Sequence, residues 1–100
     1  MKITTSKIED TVNICLAGRM DTIRTEEFQN MVDELSDEDA GHVVVDCKDL
    51  EYISSSGLRA FIALLKKAQR NGGKVKLLQL NDNVKEVFDM TGVSALFGIS

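Results

Sequence analysis

The sequence predicts an α/β fold: a single domain built on a mixed β-sheet of four to five strands, with helices packed mainly on one face. Three observations lead there. Stretches of strand-like and helix-like hydrophobic patterning follow one another as strand, strand, helix, strand, helix, strand, helix, strand, an order that places parallel strands side by side through right-handed helical crossovers. The chain has 100 residues, enough for one compact core and too few for two. Its 43% apolar content lies just under the usual globular range, and the charged residues are spread along the chain instead of gathered in a tail.

Ile3 to Ser6 and Val12 to Ala17 are strand-like and flank the polar turn at Glu9 and Asp10, which predicts an opening hairpin. Beyond Gly18, Phe28, Met31, Val32 and Leu35 fall at helical spacing. Thr25 with Glu26 and Glu27 gives that first helix its start. Asp33, Glu34, Asp37, Glu38 and Asp39 read as its solvated end. Val43-Val44-Val45 is β-branched and apolar throughout, the pattern of a central strand covered by helices on one side and by something else on the other, and ending at Asp46. Leu58, Phe61, Ile62, Leu65 and Ala68 form the stripe of the longest helix, which Asn71-Gly72-Gly73 stops. Lys74 to Leu80 is again strand-like. Asn81 or Asp82 caps a short helix with Val84, Val87 and Phe88 inward and Gly92 closing it, and Leu96 to Ile99 is expected to add an edge strand. No proline, internal repeat or low-complexity segment marks a linker.

Composition removes several classes of function. A formal net charge of −4 disfavours nucleic-acid binding, whose non-specific affinity comes from Lys and Arg on phosphates. Apolar runs such as Val43-Val44-Val45 fall far short of the roughly 20 residues a spanning helix needs, so no membrane insertion is expected. Met1-Lys2-Ile3-Thr4-Thr5 lacks the apolar centre of a secretory signal, which predicts a cytoplasmic protein. Cys15 and Cys47 stand in apolar stretches without metal-ligand or CxxC spacing and read as two buried reduced thiols.

Enzyme signatures fail on inspection. A nucleophile elbow needs Gly-x-Ser-x-Gly, whereas Ile53 stands two residues before Ser55, and the only imidazole, His42, enters the strand at its opposite end. Gly72-Gly73-Lys74 lacks the leading glycine and following hydroxyl of a phosphate loop. Asp46, Asp49 and Glu51 do not fit a calcium loop. No set of residues calls for a metal or cofactor, so the expected function is binding, not catalysis.

The most informative stretch runs from Asp46 to Arg59 and joins the central strand to the longest helix. By residue type, Ser54-Ser55-Ser56 at a helix start supplies a capping oxygen for a first-turn amide. Its surroundings add more. A buried strand, a loop with an apolar pair, then a short polar triplet ending in Ser-Gly-Leu before an amphipathic helix resembles the STAS family of anti-sigma factor antagonists. Gly18-Arg19-Met20-Asp21 is similar to that family's Gly-x-Leu-Asp after the second strand. Asn71-Gly72-Gly73, and Met90-Thr91-Gly92-Val93 followed by Leu96-Phe97, stand where the family has like elements.

The resemblance implies a phosphorylation switch. The family's acceptor is the first hydroxyl of Asp-Ser-Ser/Thr-Gly, which falls on Ser55, with Ser56 the second hydroxyl, Gly57 the glycine, and Ser54 in place of the aspartate. That replacement supplies a competing hydroxyl at Ser54, and Ser56 is a further alternative acceptor. It also implies that the unmodified domain binds an anti-sigma factor serine/threonine kinase and frees the sigma factor, that phosphorylation abolishes binding, and that a PP2C-type phosphatase restores it. Asp21, Ser54, Ser56, Gly57, Leu58 and Arg59 are the implied partner-binding residues. Asp21 reads equally as a cap of the first helix, and Leu58 as packing. Family members commonly continue into a further C-terminal helix, so residues 1–100 are expected to form a STAS domain with that helix short or absent. Two other readings stay open: a STAS module without phosphorylation that docks in a transport or lipid-trafficking complex, and a small serine hydrolase.

Overall fold

The computed structural model describes residues 1–36 and 38–99; Asp37 of the acidic run lies outside them. Its elements are β1 (Lys2–Ile8), β2 (Thr11–Met20), α1 (Thr25–Glu34), β3 (His42–Ile53), α2 (Ser55–Arg70), β4 (Lys74–Leu78), α3 (Asp82–Met90) and β5 (Gly98–Ile99), with single 3-10 turns at Asp39–Gly41 and Ser94–Leu96. The strands lie in sequence order in one mixed sheet. β1 and β2 are antiparallel; β2, β3, β4 and β5 are mutually parallel.

A monotonic strand order with right-handed crossovers sends each connecting helix to the same side. Burial agrees: Val12, Ile14 and Leu16 of β2, Val43, Val45 and Cys47 of β3, and Val75 and Leu77 of β4 are buried under the helices. Their alternates are open: Cys15 and Lys76 are exposed, while Asn13, Val44 and Asp46 are half-buried. Helices on one side of the valine strand are as expected, whereas the cover expected over its other side is not found among the described residues, where Val44 is only half-buried. Polar neighbours, Asn13 and Lys76, flank Val44 in register on the open face and keep that side wettable.

Cys15 is a second correction. It is exposed, not buried, because the period-2 alternation that buries Ile14 and Leu16 turns residue 15 outward. Cys47 is buried, and desolvation, with a smaller contribution from the Asp46 charge, pushes its thiol up to about 12. A thiol reagent at neutral pH should therefore modify one cysteine in the folded protein, Cys15, and both after denaturation, as read by peptide mass mapping. Rapid native modification of Cys47 would contradict the placement.

The helices sit on a phenylalanine cluster. Phe61 of α2 is completely buried and lies 4.8 Å (centroid to centroid) from Phe28 of α1, 5.4 Å from Phe88 of α3 and 6.4 Å from Phe97. The α2 stripe is Leu58, Phe61, Leu65 and Ala68, with Ala60 and Leu64 added on its flank, while Ile62 is only half-buried. Near the C-terminus the expected strand from Leu96 shrinks to Gly98–Ile99: Leu96 closes a 3-10 turn at 55% exposure so that Phe97 can enter the core.

β3 is the main departure from expectation. It does not end at Asp46 but continues to Ile53, pairing with β4 over His42–Asp46 and then with β2 alone. Register shifts between Cys15 and Ala17 and between Gly18 and Arg19 break its alternation, so inward positions fall at 43, 45, 47, 50 and 53. β4 stops at Leu78, and the Leu50 carbonyl receives the Asn81 side-chain amide at 3.0 Å in place of a strand partner.

Candidate functional site

The candidate site lies where β2 and β3 finish side by side and α2 begins. Met20 and Ile53 are the last residues of the two strands, are paired in register and are buried. The Met20 carbonyl accepts the Ser54 amide at 2.8 Å, which ties the start of α2 to the end of β2.

Ser54 is the helix cap. Its backbone is extended, its Oγ accepts the Gly57 amide at 3.1 Å, and its carbonyl accepts the Leu58 amide at 3.0 Å. A cap of this kind contributes about 1 kcal/mol. At 9% exposure it lies 3.5 Å from the Thr25 hydroxyl, so the cap also touches α1. Gly57 is buried because nothing larger fits: a Cβ there would stand 2.8 Å from Met20 Sδ and 2.9 Å from Ile53 Cγ1. Leu58, 7% exposed, belongs to the core. Ser55, the first helical residue, is exposed, Ser56 is half-exposed and Arg59 is exposed. Of the residues singled out by sequence, the structure brings Ser55, Ser56 and Arg59 to the surface and turns Ser54, Gly57 and Leu58 inward.

Asp21 closes the turn between β2 and α1. Its carboxylate accepts the Arg24 amide at 2.8 Å and Arg24 Nη1 at 2.6 Å, and its carbonyl accepts the Thr25 amide and hydroxyl. The Arg24 amide, foremost, and then the Arg24 guanidinium hold the Asp21 carboxyl below the usual carboxylate range. The helix cap position itself is Arg24, without a side-chain bond, so Asp21 acts one turn earlier than a true cap.

Between this turn and α2 lies a groove of about 550 Å³, lined by Thr22, Ile23, Glu26 and Gln29 on one wall and Ser56 and Arg59 on the other. Ile23 is 78% exposed. Sequence reading had no place for it; the available signal was an isoleucine between Thr22 and Arg24, off the buried stripe of α1. On the open face of the sheet, the Arg19 guanidinium stacks 4.5 Å from the centre of the Tyr52 ring. His42 stands at the far end of β3 from the serines. Among the described residues no three His, Cys, Asp or Glu side chains converge as metal ligands, and no helix is long and apolar enough to cross a membrane.

A family profile described as the STAS domain matches residues 2–100. The chain belongs to the STAS domain family. Among its relatives, the putative anti-sigma factor antagonist BtrV of Bordetella bronchiseptica is 31% identical over 100 residues, covering 100% of this chain and 86% of that one. A putative anti-sigma factor antagonist from Thermotoga maritima superposes with a TM-score of 0.87 at 21% identity, over 97% of this chain and 84% of that one. The antagonist SpoIIAA of Bacillus superposes in its unphosphorylated form with a TM-score of 0.82 at 17% identity, over 99% of this chain and 88% of that one, and in its phosphorylated form with 0.76. These three structures establish the shared fold.

Within the STAS fold the two sequence signatures become one construction. Gly18-Arg19-Met20-Asp21 ends in the methionine that packs beneath Gly57 and whose carbonyl accepts the Ser54 amide, and in the aspartate that closes the turn to α1. The Ser54 hydroxyl, by accepting the Gly57 amide, caps α2 as a carboxylate oxygen could.

Proposed function

We propose that this STAS domain is an anti-sigma factor antagonist whose unmodified form captures an anti-sigma factor serine/threonine kinase and frees the sigma factor, and that phosphorylation of Ser55 ends the capture. One observation carries the reading: Ser55 is the most exposed serine of the triplet, at the first position of α2, while Ser56 is half-exposed and Ser54 is buried and committed to the cap. The name of BtrV and the existence of phosphorylated SpoIIAA support it.

The domain contributes only the nucleophile. Ser55 Oγ forms a bond to the γ-phosphorus of ATP held by the partner, the bond from that phosphorus to the β,γ-bridging oxygen breaks, ADP leaves, and the hydroxyl proton passes to a base on the kinase. A PP2C-type phosphatase reverses the modification by hydrolysis. The domain itself is no enzyme, and it works in the cytoplasm beside its partners. The phosphate adds about −1.5 to −2 charge at a position the partner covers, and its hydration opposes docking without disturbing the core.

Incubation with ATP and the cognate kinase should add one phosphoryl group to the wild-type chain and to Ser56→Ala, and none to Ser55→Ala, as read by intact mass. Full modification of Ser55→Ala would refute the assignment.

A further inference from the structure

We propose that the phosphoryl group on Ser55 is received by Arg59 of the same helix, so that the modification withdraws a cation from the partner-facing groove as well as adding a dianion. The inference rests on Ser55 being the acceptor. Residues at i and i+4 on a helix are neighbours, about 5–6 Å apart at Cβ. Ser55 and Arg59 stand in that relation within α2, a helix of 16 residues, and both are exposed.

Arg59 makes no hydrogen bond or ion pair among the described residues. The other charges nearby are less suited. Arg24 is occupied by Asp21 at 2.6 Å, and Glu26, across the groove, repels a phosphate. The helix end is itself partly spent, because the Gly57 and Leu58 amides already bond Ser54. A guanidinium, by contrast, presents a planar fork that matches two phosphate oxygens at once. Before modification Arg59 lines the groove together with Ser56, open to pairing with an acidic group of a partner. After modification it is engaged within the helix.

The test needs no kinase. Phosphoserine is installed at position 55 during translation by an expanded genetic code, and the phosphate is titrated by ³¹P NMR in the otherwise wild-type chain and in Arg59→Gln and Arg59→Lys. The second phosphate pKa should be lower with arginine than with glutamine by about 0.3 units. Lysine should fall between, and the difference should shrink at 1 M salt, where the Debye length is about 3 Å. Coincident wild-type and Arg59→Gln curves would overturn the proposal. The Arg59 Nε–H resonance of the wild-type fold should also move when phosphoserine replaces serine, and an unmoved resonance would overturn it without reference to any variant. Failure of the kinase to modify Ser55 would sink the acceptor assignment while leaving this titration unaffected, so the two outcomes are separable.

Discussion

Ser55→Asp should weaken capture of the anti-sigma factor kinase by about two orders of magnitude and leave cooperative unfolding unchanged. Ser55 is exposed at the first position of α2, where a carboxylate is favourable to the helix and meets no buried neighbour. Folding therefore gains slightly or stays level. Binding does not, because a partner that packs over this turn must desolvate a charge it was not built to pair. An uncompensated buried charge costs about 3 kcal/mol or more, which corresponds to roughly a hundredfold or greater loss of affinity. Titration calorimetry with the kinase measures the first quantity and urea unfolding the second. Unchanged affinity would count against a switch that works through the surface, and a large loss of stability would move the effect into the fold.

Gly73→Ala should destabilise the protein by about 3 kcal/mol or more and lower its Tm by roughly 15 °C or more. A Cβ at this position would stand 1.5 Å from the Gly41 carbonyl oxygen and 2.4 Å from its carbon, both backbone atoms that no rotamer change can move aside. Gly41 and Gly73 immediately precede His42 and Lys74, the paired residues at the start of β3 and β4, so separating them pulls apart the parallel pairing where it begins. Gly72→Ala supplies the contrast. Gly72 has φ of +70° with open space around it, and alanine there should cost only the left-handed strain, about 1–2 kcal/mol. Thermal unfolding of the two variants side by side checks the ranking. Equal losses would mean that the Gly41 contact relaxes easily.

Both glycines look alike in the sequence, where Asn71-Gly72-Gly73 is a helix stop. As a stop the reading holds: the Gly72 amide bonds the Gln69 carbonyl and the Gly73 amide bonds the Ala68 carbonyl, both at 3.0 Å, the paired bonds that close a helix through a left-handed residue. What sequence spacing carries no trace of is Gly41, more than thirty positions away, pressed against Gly73. Asn81 shows the same division. Its capping of α3 through the Val84 amide was legible, whereas the hydrogen bond that its side-chain NH2 donates to the Leu50 carbonyl depends on where β4 happens to end.

The triplet Ser54-Ser55-Ser56 divides in the same way. Local chemistry by itself determined that a serine there caps a helix, that the alternating apolar residues make an α/β sandwich of one sheet and its helices, and that the chain resembles the STAS family. Those are properties of neighbours in sequence: amide and hydroxyl, side-chain period, and motif order. Only the tertiary structure decided which hydroxyl is spent and which is presented, because that depends on Met20 holding the Ser54 amide and on Thr25 closing over the Ser54 side chain, residues 34 and 29 positions away. It likewise turned Cys15 to solvent and left one face of the sheet open. A chain encodes its periodicities locally, but the accessibility of any one oxygen is set by whatever the fold brings to lie on top of it.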